Sequence, residues 1–313
     1  MILEERNFLQ SKVWAKVNQL IGHQVVEKDG IVMIIKKAKR GRYLEIPGGP
    51  IINWQDDKAV EKTRQLIVDT AKKHRCVFVR LRPQLIDTPE NRKLLETKLR
   101  AKKSPMHLAA EHTVILDLTK SEDELLKNMR RQTRYEVRRA DKLGIKVESG
   151  NSEELFKEFH QVQSETAARQ HFVPPDLKTL LAEKEAFSKN AKIYVAKTAE
   201  GEPIAYGLIL IHENEAEYYE AASTDLNHKL PGAYALEWQA IKDLKKQKVK
   251  KYNLWGIAPP NQPHHRYAGV TTFKTGFGGE VVAFVPAHDI IISKIKYAPD
   301  YLIETIRKKR RHL

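Results

Sequence analysis

The segment PIAYGLILIHENEAEYYEAAS, residues 203–223, decides the fold of this chain. Two apolar runs flank a polar turn, which predicts two strands joined as a hairpin. The residues near 233–250 then predict a helix, and KYNLWGIAP at 251–259 predicts another strand. One face of the helix is apolar at helical spacing, and its residues are Ala233, Leu236, Ala240 and Leu244.

The same order of elements occurs earlier in the chain. IVMIIKKAKRGRYLEIP at 31–47 predicts a hairpin, the residues near 59–74 a helix, and CVFVRLRP at 76–83 a buried strand. A hairpin, helix and strand that occur twice argue for two copies of one α/β unit. We therefore expect an α/β (α+β) protein with two domains.

The composition indicates which binding partners and which cellular location fit this chain. The 313 residues include 55 Lys and Arg against 40 Asp and Glu, a net charge of +15, which predicts attraction to polyanions such as tRNA or anionic lipid. A lysine-rich solubilising surface explains the charge equally well. The sequence has no long apolar run, and acids occupy the N-terminal MILEERNFLQ, so we expect a soluble protein that is not exported.

Two stretches carry candidate functional residues. In YNLWGIAPPNQPHHRYAGVTTFKTGFGGE, residues 252–280, Lys274 lies between Phe273 and a glycine-rich bend. Taken alone, this pattern also fits a surface lysine beside a turn. In MRRQTRYEVRRADKLG, residues 129–144, three arginines at i, i+4 spacing predict a guanidinium stripe suited to phosphates, or a solvated basic face: Arg130, Arg134 and Arg138.

Together with FLQSKVWAKV at 8–17 and IPGGP at 46–50, these stretches resemble the Fem family of peptidoglycan aminoacyltransferases, which use aminoacyl-tRNA. The resemblance implies two tandem acetyltransferase-like (GNAT-like) domains in the compact form that lacks a long helical arm. We expect the first domain to comprise residues 1–143 plus 286–313, and the second residues 144–285.

The resemblance also implies roles for particular residues. Lys274, with Phe273, matches the catalytic lysine motif near the acyl ester or the tRNA terminus. Lys16 matches a lysine associated with the diphosphate of the acceptor, and Tyr218 a tyrosine that lines the acceptor cleft, although a half-buried structural tyrosine fits the strand equally well. Arg169 is a further candidate for acceptor binding. The basic helix is expected to meet tRNA phosphates, and neither a cofactor nor a metal is expected.

The sequence departs from relatives at several positions. Arg82 occupies a position where some relatives have an aspartate considered as a general base, which argues against a dedicated base there. Further departures are Gly48, Val173, Leu177 and Asn253. The acceptor contacts are therefore expected to differ from those of relatives.

The leading interpretation is a cytoplasmic enzyme that transfers an amino acid from aminoacyl-tRNA to the stem-peptide amino group of a lipid-linked or UDP-linked muropeptide. The basic end RKKRRHL, after an amphipathic pattern, fits peripheral contact with the inner face of the cell membrane or a solvated tail. Two alternatives are an acyl-CoA-dependent N-acyltransferase and a noncatalytic tRNA- or membrane-binding protein. The sequence leaves the amino acid, the tRNA and the oligomeric state open.

Overall fold

The computed structural model describes residues 7–170, 172–262 and 265–310. The first six residues of the acidic N-terminus and residues 311–313 of the basic end lie outside this range. The chain divides into two compact units. Unit 1 contains the described residues up to His112, Ala258–Arg266 and those from Val282 onward, and unit 2 contains Thr113–Ile257 and Tyr267–Val281.

The secondary structure follows in chain order. The first elements are α1 Lys12–Leu20, β1 Gln24–Lys28, β2 Ile31–Ala38, β3 Gly41–Gly48, α2 Asp57–Lys73, β4 Cys76–Pro83, α3 Pro89–Lys98 and β5 Lys102–Lys103. The next are β6 His112–Asp117, α4 Glu122–Asn128, α5 Arg131–Lys142, β7 Lys146–Gly150, α6 Glu153–Gln170, α7 Leu177–Phe187, β8 Ala191–Lys197, β9 Pro203–His212 and β10 Glu215–Ser223. The last are α8 Gly232–Lys246, β11 Lys251–Gly256, α9 Ala268–Thr275, β12 Glu280–Ala283, β13 His288–Ile291 and α10 Lys294–Arg310.

Each unit is built on one sheet. A six-stranded sheet has the order β1-β2-β3-β4-β13-β5, and a seven-stranded sheet has the order β12-β6-β11-β10-β9-β8-β7. In the first, β4 is buried along its whole length, and the apolar face of α2 packs into the same core through Val60, Ile67 and Ala71. In the second, Leu236, Ala240 and Leu244 of α8 pack against the sheet, as their helical spacing predicts.

The predicted repeat is confirmed. β2, β3, α2 and β4 follow one another in unit 1 as β9, β10, α8 and β11 do in unit 2. In both copies the first two strands form an antiparallel hairpin, and the strand after the helix pairs in parallel with the second hairpin strand. A parallel pair needs such a crossover helix, so the sequence order dictates this arrangement.

The division between the units differs from the expected one. It falls after His112 rather than after Leu143, because β6 pairs antiparallel with β11 and so joins the sheet of unit 2. The basic helix α5 therefore belongs to unit 2 and does not end unit 1. The second division falls at Val282 rather than at residue 286, and β13 then pairs antiparallel with β4 of unit 1.

The helices of the described residues are short. The longest helix of the described residues, α6, has 18 residues, so no long helical arm occurs in that part of the chain. Within the same residues, no helix combines the length and the apolar character that crossing a membrane requires.

The turn after α9 depends on Gly278. This glycine has φ +82°, and a Cβ added there would lie 2.2 Å from the backbone oxygen of Asn128. Gly278→Ala should therefore lower the free energy of unfolding by about 3 kcal/mol, as measured by urea denaturation. Gly269→Ala is the matched control, since no atom of the described residues lies within 4 Å of its added Cβ. The control should leave stability unchanged or raise it by about 0.5 kcal/mol; equal effects of both substitutions would contradict the packing argument.

Candidate functional site

The sheet of unit 2 opens between β10 and β11. The two strands pair in parallel only over Glu215–Glu217 and Lys251–Asn253, although both continue further. The register of β10 shifts between Tyr218 and Glu220, and that of β11 shifts between Asn253 and Gly256. Such irregularities end strand pairing and redirect side chains, and they are frequent next to functional sites.

Lys274 lies at this opening. It belongs to the last turn of α9, and only 8% of its surface is exposed. Its Nζ donates a hydrogen bond to the Gly256 carbonyl at 3.0 Å and lies 5.7 Å from the centre of the Tyr218 ring. The ammonium group therefore contacts both strands that border the opening, and Lys274 is not a surface lysine.

A left-handed residue orients the carbonyl that holds Lys274. Trp255, immediately before Gly256, has φ +61°, a conformation that costs energy for a bulky side chain. The Asn253 Oδ1 accepts a hydrogen bond from the Trp255 backbone nitrogen at 3.0 Å, and the Thr113 hydroxyl donates to the Trp255 carbonyl at 3.1 Å. Asn253 and Thr113 are both buried, so this small network fixes the turn.

Carboxyl groups surround the ammonium. Burial lowers the pKa of Lys274 to about 8, while the charges of Glu237 and Glu220 act in the opposite direction. Glu237 on α8 is fully buried, and its Oε2 accepts a hydrogen bond from the Tyr252 hydroxyl at 2.8 Å. Burial raises the pKa of Glu237 well above the ordinary carboxyl value, although the Tyr252 bond and Lys274 oppose the shift.

Glu220 differs from Glu237 in being partly exposed at the opening. Its Oε2 accepts a hydrogen bond from Gln163 Nε2 on α6 at 2.8 Å. Burial of the carboxyl raises its pKa to about 7, against the opposing effects of Gln163 and Lys274. A carboxylate with this pKa suits proton transfer near neutral pH, and the adjacent ammonium suits a developing oxyanion.

Of the predicted site residues, Lys274 and Tyr218 lie together and Phe273 lies beside them in sequence. Phe273 packs in the core, with its ring centre 5.0 Å from that of Tyr234 and 5.2 Å from that of Phe277. Arg169, at the end of α6, forms an ion pair with Asp225 at 3.3 Å and donates to the Ser223 carbonyl at the end of β10. Lys16 is exposed on α1 in unit 1.

The predicted stripe of three arginines is wrong in part. The helix begins at Arg131, because Met129 and Arg130 have extended backbones that separate α5 from α4. The Arg130 side chain donates to the Thr272 carbonyl, and its backbone nitrogen donates to the Gly276 carbonyl at 2.8 Å. Arg134 donates to backbone carbonyls that include that of Lys127 at 3.0 Å. Within the described residues, Arg138 alone of the three is exposed without a hydrogen bond or ion pair.

A surface pocket of about 480 Å³ lies at the start of α5. Its lining residues are Arg130, Arg131, Gln132 and Tyr135. The first turn of this helix contains no acidic residue, so the positive end of the helix and the guanidinium groups act in the same direction. The pocket is therefore suited to an anionic group.

Arg82 lies in unit 1 and is almost fully buried, with 1% of its surface exposed. Its Nε and Nη1 have no hydrogen-bond partner among the described residues, and its guanidinium lies 5.1 Å from the centre of the Phe284 ring. Burial lowers its pKa to about 10, and the charge of Glu111 opposes the shift. Arg82 therefore stays charged at neutral pH and cannot accept a proton as a general base would.

The sequence reading missed Glu237 and Glu220. A signal for Glu237 was present, because it lies four residues after Ala233 and three before Ala240, on the apolar stripe of α8. A charged residue on a buried stripe is unusual and often functional. Glu220 gave no such signal, because a strand of alternating polarity accommodates an acid on its exposed face.

The described residues contain no group of three or more His, Cys, Asp and Glu side chains arranged to hold a metal ion. In unit 2, Lys274 donates to the Gly256 carbonyl, and the Glu237 and Glu220 carboxyl groups that act on it are bonded to a hydroxyl and an amide. This donor set suits hydrogen bonding and proton transfer.

Comparison with known proteins identifies relatives of the whole chain. The model of the FemAB family matches residues 3–107, 99–202 and 176–305. Aminoacyltransferase FemA of Staphylococcus aureus strain MW2 is 20% identical over 351 aligned positions, covering 86% of this chain and 84% of that protein.

Two solved structures have the same fold. The crystal structure of FemX matches with a TM-score of 0.80 and 17% identity, over 95% of this chain and 94% of that one. A tandem GNAT protein from the clavulanic acid biosynthesis pathway matches with a TM-score of 0.53 and 10% identity, over 86% and 82% of the two chains. Each unit is therefore an acetyltransferase-like domain.

The lowered pKa of Lys274 predicts a particular pH dependence of stability. Between the folded value of about 8 and the ordinary 10.5, the unfolded chain binds more protons, so this residue makes stability rise with pH. Across that window, wild type should gain about 3 kcal/mol relative to Lys274→Met in urea denaturation. Lys246→Met, which removes an exposed lysine of α8, should retain the wild-type slope. Parallel curves for wild type and Lys274→Met would contradict a buried, destabilised ammonium.

Proposed function

The chain belongs to the FemAB family and is an aminoacyltransferase, and on this basis we propose that it transfers an amino acid from aminoacyl-tRNA to the stem-peptide amino group of a peptidoglycan precursor. The precursor is a lipid-linked or UDP-linked muropeptide. The reaction takes place in the cytoplasm, and the aminoacyl ester is activated already, so the proposed reaction needs no cofactor.

One observation carries the proposal, namely the buried ammonium of Lys274 at the opening between β10 and β11. Aminolysis of an ester passes through a tetrahedral intermediate whose former carbonyl oxygen is negatively charged. One Lys274 hydrogen bond is made to Gly256, and an ammonium group has three donors, so others remain for an oxyanion. Low solvent exposure strengthens this electrostatic contact.

Glu220 supplies the proton transfer in this proposal. The acceptor ammonium loses a proton to the Glu220 carboxylate, and the neutral amine attacks the ester carbonyl carbon. When the ester C–O bond breaks, the departing ribose oxygen takes the proton back from the Glu220 carboxyl. The nitrogen loses its remaining extra proton to solvent, and a new amide and a free tRNA hydroxyl result. Gln163 orients Glu220 for both transfers.

The proposal also assigns surfaces and residues that contact the tRNA and the acceptor. The pocket at the start of α5 and the exposed Arg138 are proposed to meet the phosphates of tRNA, consistent with the net charge of +15. Arg130 and Arg134 are proposed to shape this surface, because their side chains are bonded to backbone carbonyls. Lys16, Tyr218 and Arg169 are proposed to bind the acceptor.

The direct test is to incubate the protein with a mixture of charged tRNAs and muropeptide precursors and to measure product masses. Lys274→Met should lower transfer by a factor on the order of 10²–10³, because it removes the oxyanion contact. Lys246→Met should transfer at the wild-type rate. Mass gain with acyl-CoA as donor, and none with charged tRNA, would replace the proposal with an N-acyltransferase. Near-wild-type transfer by Lys274→Met would remove this residue from the mechanism.

Glu220→Gln tests the proton acceptor separately. The wild-type rate should fall below pH about 7 as Glu220 is protonated, and above pH about 8 as Lys274 loses its proton. The two apparent pKa values of this pH–rate profile belong to the interacting pair of Glu220 and Lys274 rather than to either residue alone. Glu220→Gln should lower the rate by about 10² at neutral pH and lose the acidic limb while keeping the alkaline one. Glu213→Gln, at an exposed turn residue, should keep both limbs. An acidic limb retained in Glu220→Gln would assign it to another group.

A further inference from the structure

The outward face of α10 is apolar and basic. Four of the ten large apolar side chains that are exposed among the described residues lie on this one helix: Ile295, Tyr301, Leu302 and Ile306. Ile295 is 88% exposed and Leu302 61%. Exposed apolar groups that are scattered singly need no explanation, but a concentration on one helix marks an interaction surface.

Helical geometry places three of these residues on one stripe. Ile295, Leu302 and Ile306 are separated by seven and four residues, so they lie within about 40° of one another around the helix axis. The residues that attach α10 to the rest of unit 1 lie about half a turn away. They are Tyr297, Asp300 and Glu304. The apolar stripe therefore points away from the body of unit 1.

The charged residues of α10 are also divided between the side that faces unit 1 and the outward side. Both of its acidic residues face inward, where Asp300 pairs with Arg40, and Glu304 with Arg80 at 2.7 Å. The helix also contains six basic residues, of which Lys294, Lys296, Arg307 and Arg310 are exposed. With its acids neutralised from within, the outward side carries apolar and positively charged groups.

We propose that α10 docks this protein on an anionic lipid surface, with Ile295, Leu302 and Ile306 inserted among the lipids and the flanking basic residues on the headgroups. A helix with one apolar stripe and basic flanks is the form that lies in the plane of a membrane interface. RNA would meet the basic groups but leave the apolar stripe in water. A second copy of the chain would bring the same positive charge against itself.

Docking on a membrane affects which acceptor substrate the enzyme prefers. An enzyme held on the membrane meets a lipid-linked precursor at high local concentration, which favours that acceptor over a UDP-linked one. This preference rests on the proposed function, whereas the docking itself does not. Vesicle binding without transfer would leave the docking standing and overturn the proposed function. Transfer without vesicle binding would overturn the docking and leave the proposed function standing.

The test is cosedimentation of the full chain with vesicles of phosphatidylcholine, alone or mixed with phosphatidylglycerol. Wild type should bind the anionic vesicles more strongly, and added salt should weaken the binding. The triple variant Ile295→Ser, Leu302→Ser, Ile306→Ser should lose binding by about tenfold or more. Because these side chains are exposed in the fold, its thermal unfolding should match that of wild type.

A double variant provides the matched control. Val173→Ser with Leu143→Ser removes exposed apolar side chains from unit 2 and should leave vesicle binding unchanged. Three results would overturn the proposal: wild type that stays in the supernatant with anionic vesicles at low salt, a triple variant that binds as wild type does, or binding lost equally in the control. A wild-type dimer that the triple variant dissociates, without vesicle binding, would assign the stripe to a second copy instead.

Discussion

The hydrogen bond from Lys274 to the Gly256 carbonyl is the interaction on which the site of unit 2 depends. It holds an ammonium group where only 8% of the residue is exposed, and burial of a charge is unfavourable unless polar groups surround it. The neighbouring carboxyl groups and the carbonyl offset part of that cost, and the part that remains lowers the pKa of Lys274 to about 8. The position of Gly256 depends in turn on the left-handed Trp255 and on Asn253, so strain and buried polarity are concentrated at one place.

The polar groups around this bond are not all satisfied. Gln163 Oε1 and Glu237 Oε1 are buried in unit 2, and neither has a hydrogen-bond partner in the part of the chain that the structure describes. Arg80 in unit 1 provides the contrast, because its guanidinium makes two bonds of 2.8 Å to Asp289 and also pairs with Glu304. A closed network of that kind is structural, whereas buried groups that are only partly satisfied and lie beside an opening in a sheet are frequent at functional sites.

Sequence periodicity predicted the repeated α/β unit because local patterns encode hairpins and amphipathic helices. It failed at Arg130, where contacts with Thr272 and Gly276, far along the chain, fix an extended backbone that no local pattern reveals. It also placed the domain boundary too late, because the pairing of β6 with β11 is a long-range contact. The motif singles out Lys274 and the apolar stripe of α8 could have singled out Glu237, but the position of Glu220 follows a register shift of β10 that only the fold displays.

The two copies of the repeat differ in how far their parallel strands stay paired. In unit 1, β3 and β4 pair in parallel from Arg42 with Cys76 to Gly48 with Pro83, with a register shift between Arg42 and Leu44. In unit 2 the corresponding pair, β10 and β11, ends at Glu217 and Asn253. Beyond that shift, pairing continues to the ends of β3 and β4 in unit 1, whereas early separation in unit 2 leaves the Gly256 carbonyl to accept from Lys274. The proposed reaction site in the second copy therefore depends on where the pairing of β10 with β11 stops.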